Sequence, residues 1–171
     1  MCLISQHARA LEKITELADE IDRLKEQYEP DLPVGYPIYS MTWQVLVAML
    51  ATKGIKLMLK PEFVPDGNIF YTDRESWAKI IPLLTYPADD YVADAADCDD
   101  YARWAASDSS KKFKLNGCLE TWGHMPRGLH GFSLVITSPD SFALFESNAG
   151  FPYAGVPFNQ GDNGYNAESW K

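Results

Sequence analysis

The chain is poor in residues that staple, ligate or carry positive charge. Its 171 residues include three cysteines (Cys2, Cys98 and Cys118) and three histidines. An odd, sparse cysteine count argues against a disulfide framework and leaves thiol chemistry open. Lysine and arginine number 15 against 24 acidic residues, for a formal net charge of −9. A surface of that sign repels phosphate backbones, so nucleic acid is not expected as a partner, whereas hard cations are compatible with it. Long hydrophobic runs are lacking as well. The longest apolar stretch, Met41–Leu50, is interrupted by Gln44 and falls far short of the roughly 20 residues of a membrane span. No basic start followed by an apolar core marks a signal peptide. No membrane partner is therefore expected, and a cytoplasmic protein or a viral component is. Internal repeats and low-complexity blocks are absent too. What is present is core material, 46% hydrophobic and 13% aromatic residues, enough for one packed domain with an appended helix.

Residues 4–28 read as an amphipathic helix, because Ile4, His7, Leu11, Ile14, Ala18, Ile21, Lys25 and Tyr28 recur at spacings of three and four. That stripe either packs on its own domain or forms a short coiled coil that makes the chain a homo-oligomer. The expected organisation is an N-terminal helix over 1–29, a proline-rich connector over 30–38 and a packed domain over 39–171. In the domain, Met41–Thr52 suits a buried helix ended by Lys53-Gly54, and Ile55–Leu59 a short strand. Thr72 can cap a helix over Asp73–Leu84 whose last turn Pro82 disturbs. Tyr86–Asp97 reads as irregular and Cys98–Ala106 as helix. His130–Thr137 and Ser141–Glu146 flank Ser138-Pro139-Asp140 as a hairpin. From Asn148 the chain is rich in glycine and proline and is expected to wrap the domain as loop. Helices first and a hairpin later indicate an α+β domain.

The clearest chemical signal is Asp97-Cys98-Asp99-Asp100-Tyr101-Ala102. Asp97 is a good N-cap, Asp100 lies three residues on, and Cys98 takes the first helical position. Unsatisfied N–H groups there favour a thiolate, the form in which a cysteine is nucleophilic. Three flanking carboxylates work against it, unless a cation neutralises them; an oxygen-rich cluster suits Ca²⁺. A base must accompany the thiol. His124 lies in a segment punctuated by glycine and proline, whereas His130 opens an apolar strand, which makes His130 the better-oriented base. Glu146 closes the following strand. If Ser138-Pro139-Asp140 is a three-residue turn, Thr137 faces Ser141, Phe132 faces Glu146, and His130 and Glu146 share a face as diagonal neighbours roughly 7–8 Å apart. The glutamate can then accept the imidazole N–H and fix its tautomer. A two-residue turn would put them on opposite faces. Asn148 is the alternative third member.

This order of cysteine, histidine and acid, with the cysteine opening a helix, resembles the papain-like and transglutaminase-like superfamily. The segments Tyr71–Trp77, Asp90–Val92, Asp97–Ala102, His130–Val135 and Leu144–Glu146 resemble the C-terminal protease domain of the fungal agglutinins and its stand-alone microbial and viral relatives, over roughly residues 68–150. The resemblance implies a papain-like fold, with the cysteine at a helix N-terminus and the histidine and glutamate on an antiparallel sheet. It implies a calcium-dependent cysteine peptidase in which Cys98 is nucleophile, His130 general base and Glu146 orienter. Tyr91 falls where the family commonly has an oxyanion-stabilising tryptophan, and Asp97, Asp99 or Asp100 where it has calcium ligands. The expected substrate is a peptide or protein, and acyl transfer to an amine is the variant that sequence does not separate from hydrolysis. No β-trefoil precedes the matched segment, so glycan binding is not expected. The competing expectation is an inactive structural or interaction protein, such as a viral particle component, and a further one is a module whose calcium is purely structural.

Overall fold

A computed structural model describes residues 11, 13–20, 35–59 and 66–171. The chain divides into two compact units, Met1–Leu32 and Pro33–Lys171. In the first unit residues 13–20 are helical; most of the 4–28 stripe, residues 30–34 of the connector, and Cys2 lie outside the described residues.

The second unit is an α+β domain. Strand β1 (Tyr39–Thr42) pairs antiparallel with β3 (Asn68–Tyr71), and helix α1 (Trp43–Thr52) follows β1 directly, its N-terminus capped by Thr42 Oγ1 accepting from Val45 N–H. The expected helix thus begins two residues late, because Met41 and Thr42 belong to the strand. Helix α2 (Arg74–Ile80) is capped by Asp73, whose Oδ1 accepts from Ser76 N–H at 2.8 Å. Thr72 is not the cap; its hydroxyl donates to Pro37 O. Beyond Ile80 the chain tightens into a 3₁₀ turn over Ile81–Leu84, since Pro82 has no N–H to continue the α pattern. Helix α3 (Cys98–Asp108) starts at the expected residue.

The main sheet has five strands in the order β2 (Lys56–Leu57), β7 (Asn166–Trp170), β4 (Cys118–Met125), β5 (Gly128–Ser138), β6 (Ser141–Phe145). All neighbours are antiparallel except β2 and β7. Strand β5 is buried on both faces. Phe132, Leu134 and Ile136 pack with α1 and the β1–β3 pair, while Val135 packs with Trp77 of α2 and Ala105 of α3. Trp77 Nε1–H donates to Ile136 O at 2.7 Å, which ties α2 to the sheet. The segment after β6 folds back along it, where Leu144 and Phe158 exchange backbone hydrogen bonds and Gly155 N–H donates to Glu146 O. The expected loop therefore covers the sheet's edge, but its last residues form β7, a strand that sequence patterning did not mark.

Candidate functional site: a buried histidine facing a thiol and a carboxylate

The β5–β6 hairpin decides whether a site exists. Its turn is the two-residue Pro139-Asp140, with Ser138 opposite Ser141, not the expected three-residue turn. The register then shifts between Ile136 and Ser138, so that Ile136 faces Phe142 and Ser133 faces Phe145. The irregularity at Thr137 restores the pairing that a three-residue turn would have given, because one extra residue on a strand reverses the facing of all that follow. Carried one pair further, Phe132 stands opposite Glu146. His130 and Glu146 share a face, and His130 Nε2 meets Glu146 Oε2 at 2.8 Å.

Both side chains are buried, at 6% and 1% exposure. A buried carboxylate must be satisfied on every side. Glu146 accepts from Tyr165 O–H at 3.3 Å on the oxygen shared with His130, and from Asn148 N–H at 3.1 Å on the other. Asn148 therefore supports Glu146 rather than replacing it. The imidazole is clamped by rings: Phe151 stacks on it at 4.6 Å and Tyr165 meets it edge-on at 6.2 Å. Phe151 and Tyr165 were missed in the sequence, where they read as aromatics in a glycine-rich tail.

Cys98 comes to this histidine from α3. Asp97 and Asp100 form the expected capping box, with Asp97 N–H donating to Asp100 Oδ2 at 3.3 Å. Helix and strand approach closely at Gly131, where a β-carbon would lie 2.9 Å from the backbone N and Cα of Asp99. That contact lets Gly131 N–H donate to Cys98 Sγ at 3.3 Å. Burial works against a proton on His130, but hydrogen bonds to Cys98 and Glu146, and their charges, push its pKa up to about 9. At neutral pH the imidazole carries its proton and faces the sulfur. Cys118, by contrast, is buried and its thiol is pushed up by burial.

Other expected residues are placed differently. His124 lies on β4, not in a loop, and meets Glu168 Oε1 at 2.6 Å. Tyr91 is 46% exposed, its backbone N–H donating to Ala88 O; among the described residues no hydrogen bond or ring contact joins it to Cys98 or His130. The three aspartates expected as calcium ligands are placed in different surroundings. Asp97, Cys98 and Asp99 bring ligand atoms within 4.8 Å of one another, but Asp100 turns to the helix cap and to Arg103 Nη1 at 2.6 Å, and Asp99 meets Arg103 Nη2 at 2.8 Å. Asp97 Oδ1 is buried without a hydrogen-bond partner. The neighbouring Asp99 side chain and burial hold Asp97 above the usual carboxylate range, and Asp97 and Arg103 hold Asp99 below it. Among the described residues this group offers two carboxylates and a soft sulfur, where Ca²⁺ takes six to eight oxygens.

A cavity of about 130 Å³ adjoins Tyr165 and is lined by Arg127, Tyr153 and Asn163 among others. Two larger ones, about 260 and 380 Å³, lie beside Lys53 and Asp140 and include no residue of the thiol site.

No family model and no curated protein matches the chain. Among solved structures it is similar to one named as a PSL1a-E64 complex, at 20% identity, with a TM-score of 0.52, 77% of this chain covered and 50% of that one. A structure of Polyporus squamosus lectin bound to the glycan Neu5Aca2-6Galb1-4GlcNAc has 17% identity, a TM-score of 0.48, and coverage of 70% and 48%. The chain thus spans about half the length of these structures, and at such identity the likeness is one of fold. These names correct the family expectation. Neither name is that of a peptidase, the second being that of a lectin, and no peptidase family matches. The identification as a calcium-dependent cysteine peptidase, hydrolase or acyl transferase acting on peptides is therefore not carried forward, nor is the inactive viral-particle alternative. Among the described residues no helix is long and apolar enough to cross a membrane.

Proposed function

We propose that this chain is a ligand-binding protein with a reactive thiol, in which Cys98 bonds covalently to an electrophilic ligand beside protonated His130. The observation that carries this reading is the buried His130–Glu146 pair at 2.8 Å, because it keeps a charged imidazole in one orientation at the sulfur. The thiolate is the attacking species. The proton it gives up resides on His130, and Gly131 N–H remains a donor to the sulfur. Glu146 orients the ring. We propose with it the finer form of the fold, a papain-like arrangement of helix-borne cysteine and sheet-borne histidine and glutamate, as architecture without the activity.

Intact-mass measurement after treatment with iodoacetamide tests the reading. The thiolate carbon–sulfur bond forms as the carbon–iodine bond breaks and iodide leaves. One adduct on Cys98 is expected, formed faster than on glutathione and slowed by at least about tenfold in His130→Ala, with Cys118 unmodified. E64, the compound in the name of the similar structure, is the second probe and is expected to give a stable complex that Cys98→Ala does not form. Alkylation of Cys98 no faster than of glutathione, or equally fast in His130→Ala, overturns the proposal.

A further inference from the structure

We infer that Arg103 is the built-in counter-ion of the acidic turn beside Cys98, a fixed guanidinium in the role a bound cation would otherwise fill, and a positioning residue for the thiol. Asp97, Asp99 and Asp100 lie within one helical turn, and Glu120 of β4 faces them with its side chain only 5% exposed. One guanidinium reaches three of these four carboxylates: Nη1 to Asp100 Oδ1 at 2.6 Å, and Nη2 to Asp99 Oδ2 at 2.8 Å and to Glu120 Oε1 at 3.3 Å. Lys171 Nζ adds a second cation to Glu120 at 3.1 Å. The planar fork of arginine suits several carboxylates at once, which a point-charge ammonium does not. Arginine also keeps its charge at every relevant pH.

The clamp has a geometric consequence. Through Arg103 the first turn of α3 is tied to Glu120 on β4, and Asp99 is drawn against Gly131 of β5. Cys98, one residue earlier, is thereby set with its sulfur 3.3 Å from Gly131 N and in reach of His130. Asp97 stays outside the clamp with its Oδ1 buried and without a hydrogen-bond partner, and that single free oxygen falls far short of the six to eight that Ca²⁺ takes. The thiol site is then independent of calcium.

The test uses the full chain. Melting curves are taken in chelator, in Ca²⁺ and in Mg²⁺ for the natural protein, Arg103→Gln and Arg103→Lys. The natural protein is expected to melt within about 1 °C in all three. Arg103→Gln is expected to melt lower, with part of the loss recovered by Ca²⁺, and Arg103→Lys to fall between. A saturable Ca²⁺ stabilisation of several degrees in the natural protein, abolished by Asp97→Asn, overturns the inference, as does Arg103→Gln melting like the natural chain. If Arg103→Gln does not fold, Arg103→Lys and the natural protein still decide it. The positioning role rests on the reactive-thiol reading and is read separately. Cys98 alkylation by iodoacetamide should slow by about tenfold in Arg103→Lys, with the rate's midpoint pH unchanged because His130 and Glu146 are intact. An unchanged rate overturns that role, whereas an unreactive Cys98 in the natural protein overturns the thiol reading and leaves the melting comparison standing.

Discussion

Among the described residues of the domain, two histidine–glutamate pairs have nearly equal length and opposite surroundings. His124 and Glu168 meet at 2.6 Å with side chains 62% and 54% exposed, and His130 and Glu146 meet at 2.8 Å with side chains 6% and 1% exposed. Contact distance therefore says nothing about what a pair contributes. Water screens the first pair, and exposed ion pairs contribute about 0–1 kcal/mol. The second has no water to fall back on. Each partner depends on the other, and on Tyr165, Phe151 and the backbone N–H of Asn148.

The comparison breaks most sharply if Glu146 is removed. Glu146→Ala should destabilise the domain by about 3–5 kcal/mol, the usual cost of leaving one half of a buried pair, while Glu168→Ala stays within about 0.5 kcal/mol. Urea denaturation of both variants measures the difference, and equal losses would show that burial is not what separates the pairs.

Acidity comes next. His130 has a folded pKa of about 9 against an ordinary value of 6.5, so its protonated form contributes stability that is fully present below about pH 6.5 and is lost as pH rises through about 9. The loss is of order 3 kcal/mol across that window. Glu146→Gln, which removes the charge and keeps an oxygen, should flatten the profile, as followed by urea titrations from pH 6 to 10. A profile unaltered by that change would assign the slope elsewhere.

Tyr165→Phe removes one hydrogen bond to a charged group and should cost about 1.5–3 kcal/mol. It also shifts the midpoint of the His130 titration, measured by NMR, which a loss of packing alone would not do. Cys98→Ala is the smallest in stability, within about 1 kcal/mol because the side chain is small and partly exposed. It should nonetheless remove all selective alkylation by iodoacetamide.

Much of this was legible because it is local. Cys98 at the first position of α3 follows from the Asp97–Asp100 capping box, and Thr137 with its neighbours carried the hairpin even though the turn is a residue shorter than expected. Strands β4 and β7 were not legible. Cys118–Met125 includes Glu120, Trp122 and Gly123 with no clean alternation, and Asn166–Trp170 is short and mostly polar; the first is a strand because it lies between β5 and β7, the second because it lies between β4 and β2. Arg103 was passed over for a similar reason. On α3 it looks like one more charged residue on a solvated face, and the buried Glu120 that gives it a second anchor comes from a strand the pattern did not reveal.

The sequence by itself determined an α+β chain and where its thiol-bearing helix begins. These depend on capping and periodicity, which act over a few residues. Tertiary structure alone decided that His130 and Glu146 meet on one face, that His130 is held between Phe151 and Tyr165, that Glu146 is buried and fully satisfied, and that Arg103 reaches Asp99, Asp100 and Glu120. Those outcomes depend on desolvation and on side chains brought together from distant segments, and neither is a property of any short stretch of the chain.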